Sequence, residues 1–457
     1  MASLAELQER LEVFRMAGRN LQLDPLVTQK ALAQFGVEYQ TDLLEQLEQA
    51  IEDADDRDNK FVFTGHRGCG KSTLLAELGF RLIETGRYFV VMFSISDTIE
   101  RSAVDHVNIL FSMALQLIEA AELRSVKLKP GIKKELYRWL GKHTQTESQG
   151  LESEIEASGG ASLEGGVPGL LKFLAEIKSK MKVNSVIRKE ITTEFARRIS
   201  DLIAKINEIQ VYIENATGQR VLVIIDDLDK LDLSVTDSIF SKNIQPLLDP
   251  NCHILYTIPI ATLREVSLKR NIEALVKQIH TMRVAKFFSR SVVRKADRVP
   301  DEGCVAIFEE VLDRRLRTEL IEPEVKRQII LKSGGVLREL IRLVDRCCDK
   351  CMQQLRSQIR REQLDRPSVV VNQQILDQVL TDFQIEFAEP LGQVDFEALK
   401  QIYGDLKPRD TENQRFLDLL HGLYILEYRN AVLWYDLNPI VVDLLVQEGV
   451  LDGDAIV

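Results

Sequence analysis

Nine consecutive residues, Gly65-His66-Arg67-Gly68-Cys69-Gly70-Lys71-Ser72-Thr73, follow the pattern G-x-x-x-x-G-K-S. That spacing suits one chemistry, the gripping of a polyphosphate. Glycines at 65, 68 and 70 let the backbone bend tightly and aim its N–H groups at phosphate oxygens. Lys71 reaches the outer phosphates, and the Ser72 hydroxyl is a ligand for Mg²⁺. A second group, Asp226-Asp227-Leu228-Asp229, ends the apolar run Val221–Ile225. Asp226 is suited to holding the Mg²⁺ shell and Asp227 to orienting an attacking water, with Asp229 or Asp232 able to substitute in either role. A third candidate, Thr257, closes the run His253–Tyr256, where its hydroxyl can contact a terminal phosphate or the water. A fourth, Arg338, stands at a helix start just after the turn Ser333-Gly334-Gly335.

These residues need rigid elements to present them. Lys60–Thr64 reads as a short strand entering the loop, and Leu74, Leu75, Leu78, Leu82 and Ile83 recur at helical spacing after it. Strand, loop and helix in that order are the context the motif requires. Tyr88–Phe93 and Val221–Ile225 are nearly continuous apolar runs, the pattern of strands buried on both faces of a parallel sheet. His253–Ile258 and His280–Phe288 complete five strands. Carboxylates at the end of Val221–Ile225 therefore fall at the carboxyl edge of the sheet, where open α/β sheets bind ligands.

Between the strands the periodicity is helical. Helices are expected from Val104 to Leu123, from Ile191 to Ile213 with Gly218 as stop, and as one piece from Thr236 to Leu248. Residues 127–189 interrupt the pattern with a polar insert, glycine-rich at Gly159-Gly160 and Gly165-Gly166, which reads as flexible. Inside it, Leu170–Lys178 is amphipathic and mildly basic and reads as a docked surface helix. Leu4, Leu7, Leu11 and Phe14 share one face of an N-terminal helix. Asp301–Leu355 is helical throughout. From Val369 the order is helices, a hairpin (Tyr424–Tyr428, Val432–Tyr435, turning at Asn430-Ala431) and a last helix, Pro439–Val446.

Composition narrows the class further. A chain of 457 residues with 45% hydrophobic and 28% charged residues holds two or three ordinary globular domains. A net charge of −11 argues against coating a polyanion. Six cysteines in this length do not make a disulfide scaffold, and no run approaches the ~18 apolar residues of a spanning helix. The expectation is a cytoplasmic protein.

Taken together, the sequence resembles the AAA+ and STAND branches of P-loop ATPases. Gly65 to Thr73 matches Walker A, Val221 to Asp227 Walker B, Thr257 sensor 1 and Arg338 sensor 2. Gly334-Gly335-x-x-Arg338 followed by a winged helix is similar to origin-recognition ATPases, and Asp226–Leu231 to KAP-type NTPases. The resemblance implies a P-loop NTPase fold of α/β class, with a parallel five-stranded sheet, a helical lid and a C-terminal winged-helix-like domain. It divides the chain into an N-terminal helical segment (1–40), an ATPase core (41–300, insert at about 125–190), a lid (301–368) and a winged-helix-like domain (369–457). ATP and Mg²⁺ are the implied ligands, and a regulatory switch of prokaryotic signalling or antiviral defence the implied setting. Where AAA+ proteins carry Asp-Glu, this chain has Asp226-Asp227, one methylene shorter, which favours slow hydrolysis. No arginine occupies Leu247–Asn251, where many rings place their finger. Arg264, Arg270 and Arg283 are replacements among which the sequence does not choose, so a nucleotide-dependent homo-oligomer stays open.

Three further groups bear on partners. Cys347, Cys348 and Cys351 lack a fourth ligand for zinc and read as core thiols. Arg283, Lys286, Arg290, Arg294, Lys295 and Arg298 form a basic stretch that reads first as a solvated connector, with contact to nucleic acid or to a neighbouring subunit's nucleotide as the alternatives. From Leu391 to Gln447, five basic residues face nine acidic ones, a balance of −4. A DNA-binding domain leans the other way. Contact with a protein partner or effector is therefore favoured over an initiator or loader that binds DNA, and a nucleotide-dependent scaffold with negligible turnover is the third reading.

Overall fold

The computed structural model describes residues 4–55, 59–126, 130–146, 168–274, 276, 278–361, 368–430 and 432–453. Glycines 159, 160, 165 and 166 of the insert, and Ala431 of the hairpin turn, lie outside them. The chain forms two compact units.

One unit holds residues 42–64 and 75–281. Its centre is a five-stranded parallel sheet built from β1 (Lys60–Gly65), β2 (Tyr88–Ser94), β3 (Arg220–Asp226), β4 (His253–Pro259) and β5 (Ile279–Met282), in the order β2-β3-β4-β1-β5. The register runs from Tyr88↔Arg220 to Ser94↔Asp226 between β2 and β3, and from Leu222↔His253 to Ile225↔Tyr256 between β3 and β4. Val221 to Ile225 are all fully buried, as a strand covered on both faces must be. Val62, Phe89, Val91 and Ile254 join them in one core with the helix His106–Leu123. That helix is apolar nearly all round and correspondingly buried on every face. It packs against β2 and against the helices Pro168–Val183, Ser185–Ala196 and Ile199–Thr217.

The described parts of the insert are helical. Residues Pro130–Thr144, Pro168–Val183 and Ser185–Ala196 are helices. Leu170, Phe173, Leu174, Ile177 and Met181 are buried, so the amphipathic segment is docked on its own unit. Lys178 of the same helix pairs with Glu119. No helix of the described residues is long and apolar enough to cross a membrane. The helix expected over Thr236–Leu248 is two, Leu233–Phe240 and Gln245–Leu248. Pro246 explains the break, because it has no N–H to donate back across residues 241–244 and stands in the first turn of the second piece.

The other unit holds residues 1–41, 65–74 and 282–457. Its core joins the N-terminal helix Leu4–Asn20, through Leu7, Leu11 and Phe14, to the helix Leu337–Arg360. Cys347, Cys348 and Cys351 lie in that core, fully buried, and burial raises the pKa of each thiol. Helices Gln373–Ala388, Gln393–Asp405 and Gln414–His421 lead into the hairpin of β6 (Ile425–Asn430) and β7 (Val432–Leu437), followed by the helix Pro439–Gln447. Asn372, Asn413 and Asn438 cap three of these helices with their side-chain oxygens, which fixes where each begins.

Two expectations change in this unit. The strand expected to run to Phe288 stops at Met282, and Val284 and Ala285 pack instead beneath the turn at Gly335. Gly335 has φ +82°, and a Cβ there would collide with the Ala285 carbonyl. The basic stretch is partly a clasp. Arg294 pairs with both oxygens of Asp436, donates to the Tyr403 carbonyl and lies 3.7 Å above the Tyr403 ring centroid. Arg298 stacks on Phe288. These two side chains are absorbed in packing, while Arg283, Arg290 and Lys295 remain exposed.

Candidate functional site: a phosphate-binding loop and an acidic strand end

The loop Gly65–Thr73 connects β1 to the helix Lys71–Glu84. The backbone takes the tight path the glycines permit, with φ +77° at Gly68 and +104° at Gly70. Lys71 is buried and donates to the carbonyls of Gly65 (3.0 Å) and His66 (2.7 Å), so its ammonium is held inside the loop's curve. The hydroxyl of Ser72, one residue on at the helix start, has no partner among the described residues. That of Thr73 accepts from the Leu26 N–H at 3.1 Å. Cys69 is buried.

What sequence could not supply is the company the loop keeps within its unit. The Arg338 N–H donates to the Gly68 carbonyl at 2.9 Å, and a Cβ on Gly68 would collide with the Arg338 side chain. The guanidinium of Arg338 itself has no partner among the described residues. The buried ring of His66 accepts from the Glu427 backbone N–H on β6 at 2.8 Å through Nε2, which puts its proton on Nδ1. Arg67 contacts the ring of His421. Tyr428 donates to the Gly334 carbonyl at 3.0 Å, and Gly334 is hemmed in by Leu426 and Pro439. Loop, Arg338 and hairpin are thus directly bonded.

The acidic strand end is built on the sheet unit. Asp226 is the last residue of β3, and ligand oxygens of Asp226, Asp227 and Asp229 all lie within 4.8 Å of one another. All three are buried. Three hard oxygen donors fit a small divalent cation such as Mg²⁺. Asp227 has a left-handed backbone, φ +68°, unusual for a residue with a side chain. Its Oδ2 accepts from Ser94 Oγ at 2.7 Å, and its Oδ1 pairs with Lys230. Burial pushes the pKa of Asp227 up, but the hydrogen bonds from Lys230 and Ser94 outweigh it and hold it below the usual 3.8. Arg101, exposed, adds a weaker pull in the same direction.

Thr257 lies on β4 beside these residues, but its hydroxyl is spent on backbone. It donates to the Ile225 carbonyl at 3.2 Å and accepts from the Leu228 N–H at 3.1 Å. It therefore braces the turn that follows Asp227. Ser94, Lys230 and Arg101 were not singled out from sequence. Ser94 carried a usable signal, since it is the polar residue ending an apolar strand, as Thr257 is.

Residues 41–249 match the model of the KAP family P-loop domain. No curated protein matches the chain. Among solved structures, the chain is similar to the Walker-type ATPase of Pyrococcus abyssi, with a TM-score of 0.43, 13% identity and coverage of 93% of this chain and 99% of that one. Cdc6p from Pyrobaculum aerophilum gives a TM-score of 0.40 at 9% identity, over 94% of this chain and 98% of that one.

Proposed function

We propose that this P-loop NTPase, whose residues 41–249 match the KAP family P-loop domain, is an ATP-binding and slowly ATP-hydrolysing regulatory switch. In this reading the backbone N–H groups of 65–73 and the Lys71 ammonium would hold the phosphates, Ser72 and Asp226 are the candidate Mg²⁺ ligands, and the cation would supply charge neutralisation for phosphoryl transfer. Asp227 orients the water that attacks the γ-phosphorus. The bond to the β–γ bridging oxygen breaks, ADP and phosphate leave, and the water's proton passes to the carboxylate or to solvent. Arg338 supplies a cation for the γ-phosphate, and Thr257 acts through the Leu228 backbone. An Asp in place of Glu stands one methylene further from its water, consistent with a switch rather than a motor.

The observation that carries the switch reading is the bonding of the loop to the C-terminal hairpin, His66 to Glu427 and Arg67 to His421. Phosphate binding that reshapes the loop must alter those contacts. Hydrogen exchange of residues 421–437, measured on the full chain with and without saturating ATP–Mg²⁺, should change markedly. Identical exchange in both states would overturn the switch.

DNA binding finds little support in the same region. Glu412, just before the helix Gln414–His421, and Asp418 within it are exposed, and Arg415 of that helix is paired with Asp395. We expect the full chain to bind random duplex DNA no more tightly than micromolar. A sub-micromolar, salt-sensitive dissociation constant would restore the initiator reading.

A further inference from the structure

We propose that Lys230 is a positioning residue for the Asp227 carboxylate, a role that rests on the reading of Asp227 as the water-orienting acid. The argument begins with how firmly Lys230 is placed. It ends a single 3-10 turn, Leu228–Lys230, whose flanking residues Leu228 and Leu231 are fully buried. The turn is bonded at both ends, from the Leu228 N–H to Thr257 and from the Lys230 N–H to the Asp227 carbonyl at 3.1 Å. The lysine side chain is only 18% exposed and that of Asp227 12%, so the pair is shielded from solvent on both sides. An ion pair so placed is screened less than a surface one.

The electrostatics explain why a cation belongs there. Asp226, Asp227 and Asp229 crowd three carboxylates into one buried corner. Like charges at that spacing push one another toward protonation or apart. Lys230 offsets this on Asp227 and, together with Ser94 on the other oxygen, ties down both ends of the carboxylate. Each carboxylate oxygen has two lone-pair sites, so one tether per oxygen leaves a site on each for water. The tethers orient Asp227 without consuming its capacity to accept. Ser94 reaches it because the β2–β3 register sets Ser94 level with Asp226.

The test is steady-state hydrolysis and ATP titration on the full chain. Lys230→Met should lower kcat about 10-fold or more while ATP affinity stays within about 2-fold, because the lysine acts on the acid and not on the nucleotide. Lys230→Arg, which keeps the charge, should recover most of the rate. In an Asp227→Asn background, Lys230→Met should add little, since the carboxylate it positions is gone. A Lys230→Met enzyme with unchanged or raised kcat, beside a slow Asp227→Asn, overturns the proposal. So do fully additive losses, or a rate loss matched by lost affinity. Should Lys230→Met fold poorly, Ser94→Ala replaces it, with the same rate loss expected at unchanged affinity. If Asp227→Asn itself hydrolyses at the wild-type rate, or the wild type shows no turnover, the assignment of the acid fails and the proposal with it.

Discussion

Lys71→Ala is expected to abolish ATP binding in a calorimetric titration. The ammonium of Lys71 is buried and already turned into the loop, where it donates to the carbonyls of Gly65 and His66. Its replacement takes away the one lysine the motif aims at the outer phosphates, and alanine offers neither charge nor reach. Loss of one such charge-assisted contact in a shielded site costs several kcal/mol, about 10³-fold in affinity at ~4 kcal/mol. The helix Lys71–Glu84 keeps its apolar face, so the fold should survive, and a thermal midpoint near wild type would show it. Unchanged affinity would mean that nucleotide binds elsewhere.

The second large effect separates two adjacent acids. Asp227→Asn should leave ATP bound and slow hydrolysis by about 10²-fold or more, because the amide keeps the size but loses the charge that orients water. Asp226→Asn should weaken Mg²⁺-dependent binding and turnover together, as expected of a residue in the metal's shell. The structure sharpens the expectation for Asp227. Its carboxylate meets Lys230 on one oxygen and Ser94 on the other, and an amide cannot accept on both sides. If both variants bind and hydrolyse ATP at wild-type levels, the catalytic acid lies elsewhere, with Asp229 next to be changed.

The strands of the parallel sheet were the most legible part of the chain. β1, β2, β3 and β4 are apolar runs that end where polar chemistry begins, and a buried parallel strand has few other ways to look. The insert was read less well. Leu136, Tyr137 and Leu140 do recur at helical spacing, but the polar residues among them hid a face that is buried because the helices Pro168–Val183 and Ser185–Ala196 pack against the helix Pro130–Thr144. Thr257 was placed correctly on its strand, yet its hydroxyl serves backbone, and no one-dimensional pattern reveals which partner a hydroxyl finds. The clasp of Arg294 on Asp436 was invisible for the same reason, since it depends on a meeting of residues 142 positions apart.

The bond between His66 and Glu427 spans 361 residues. During synthesis the phosphate loop leaves the ribosome long before the hairpin that completes its surroundings. At ~5–20 residues per second, that interval lasts tens of seconds. Through that time the loop has its sequence but lacks the neighbour that accommodates the His66 ring, and Arg338, which lies beside Gly68, is also still to come. The nascent chain therefore carries a recognisable nucleotide motif before it carries the finished loop, and folding of this unit must wait for both ends of the chain. Such long-range closure is slow, so the contacts of the loop with Glu427 and Arg338 are among the last this unit can form.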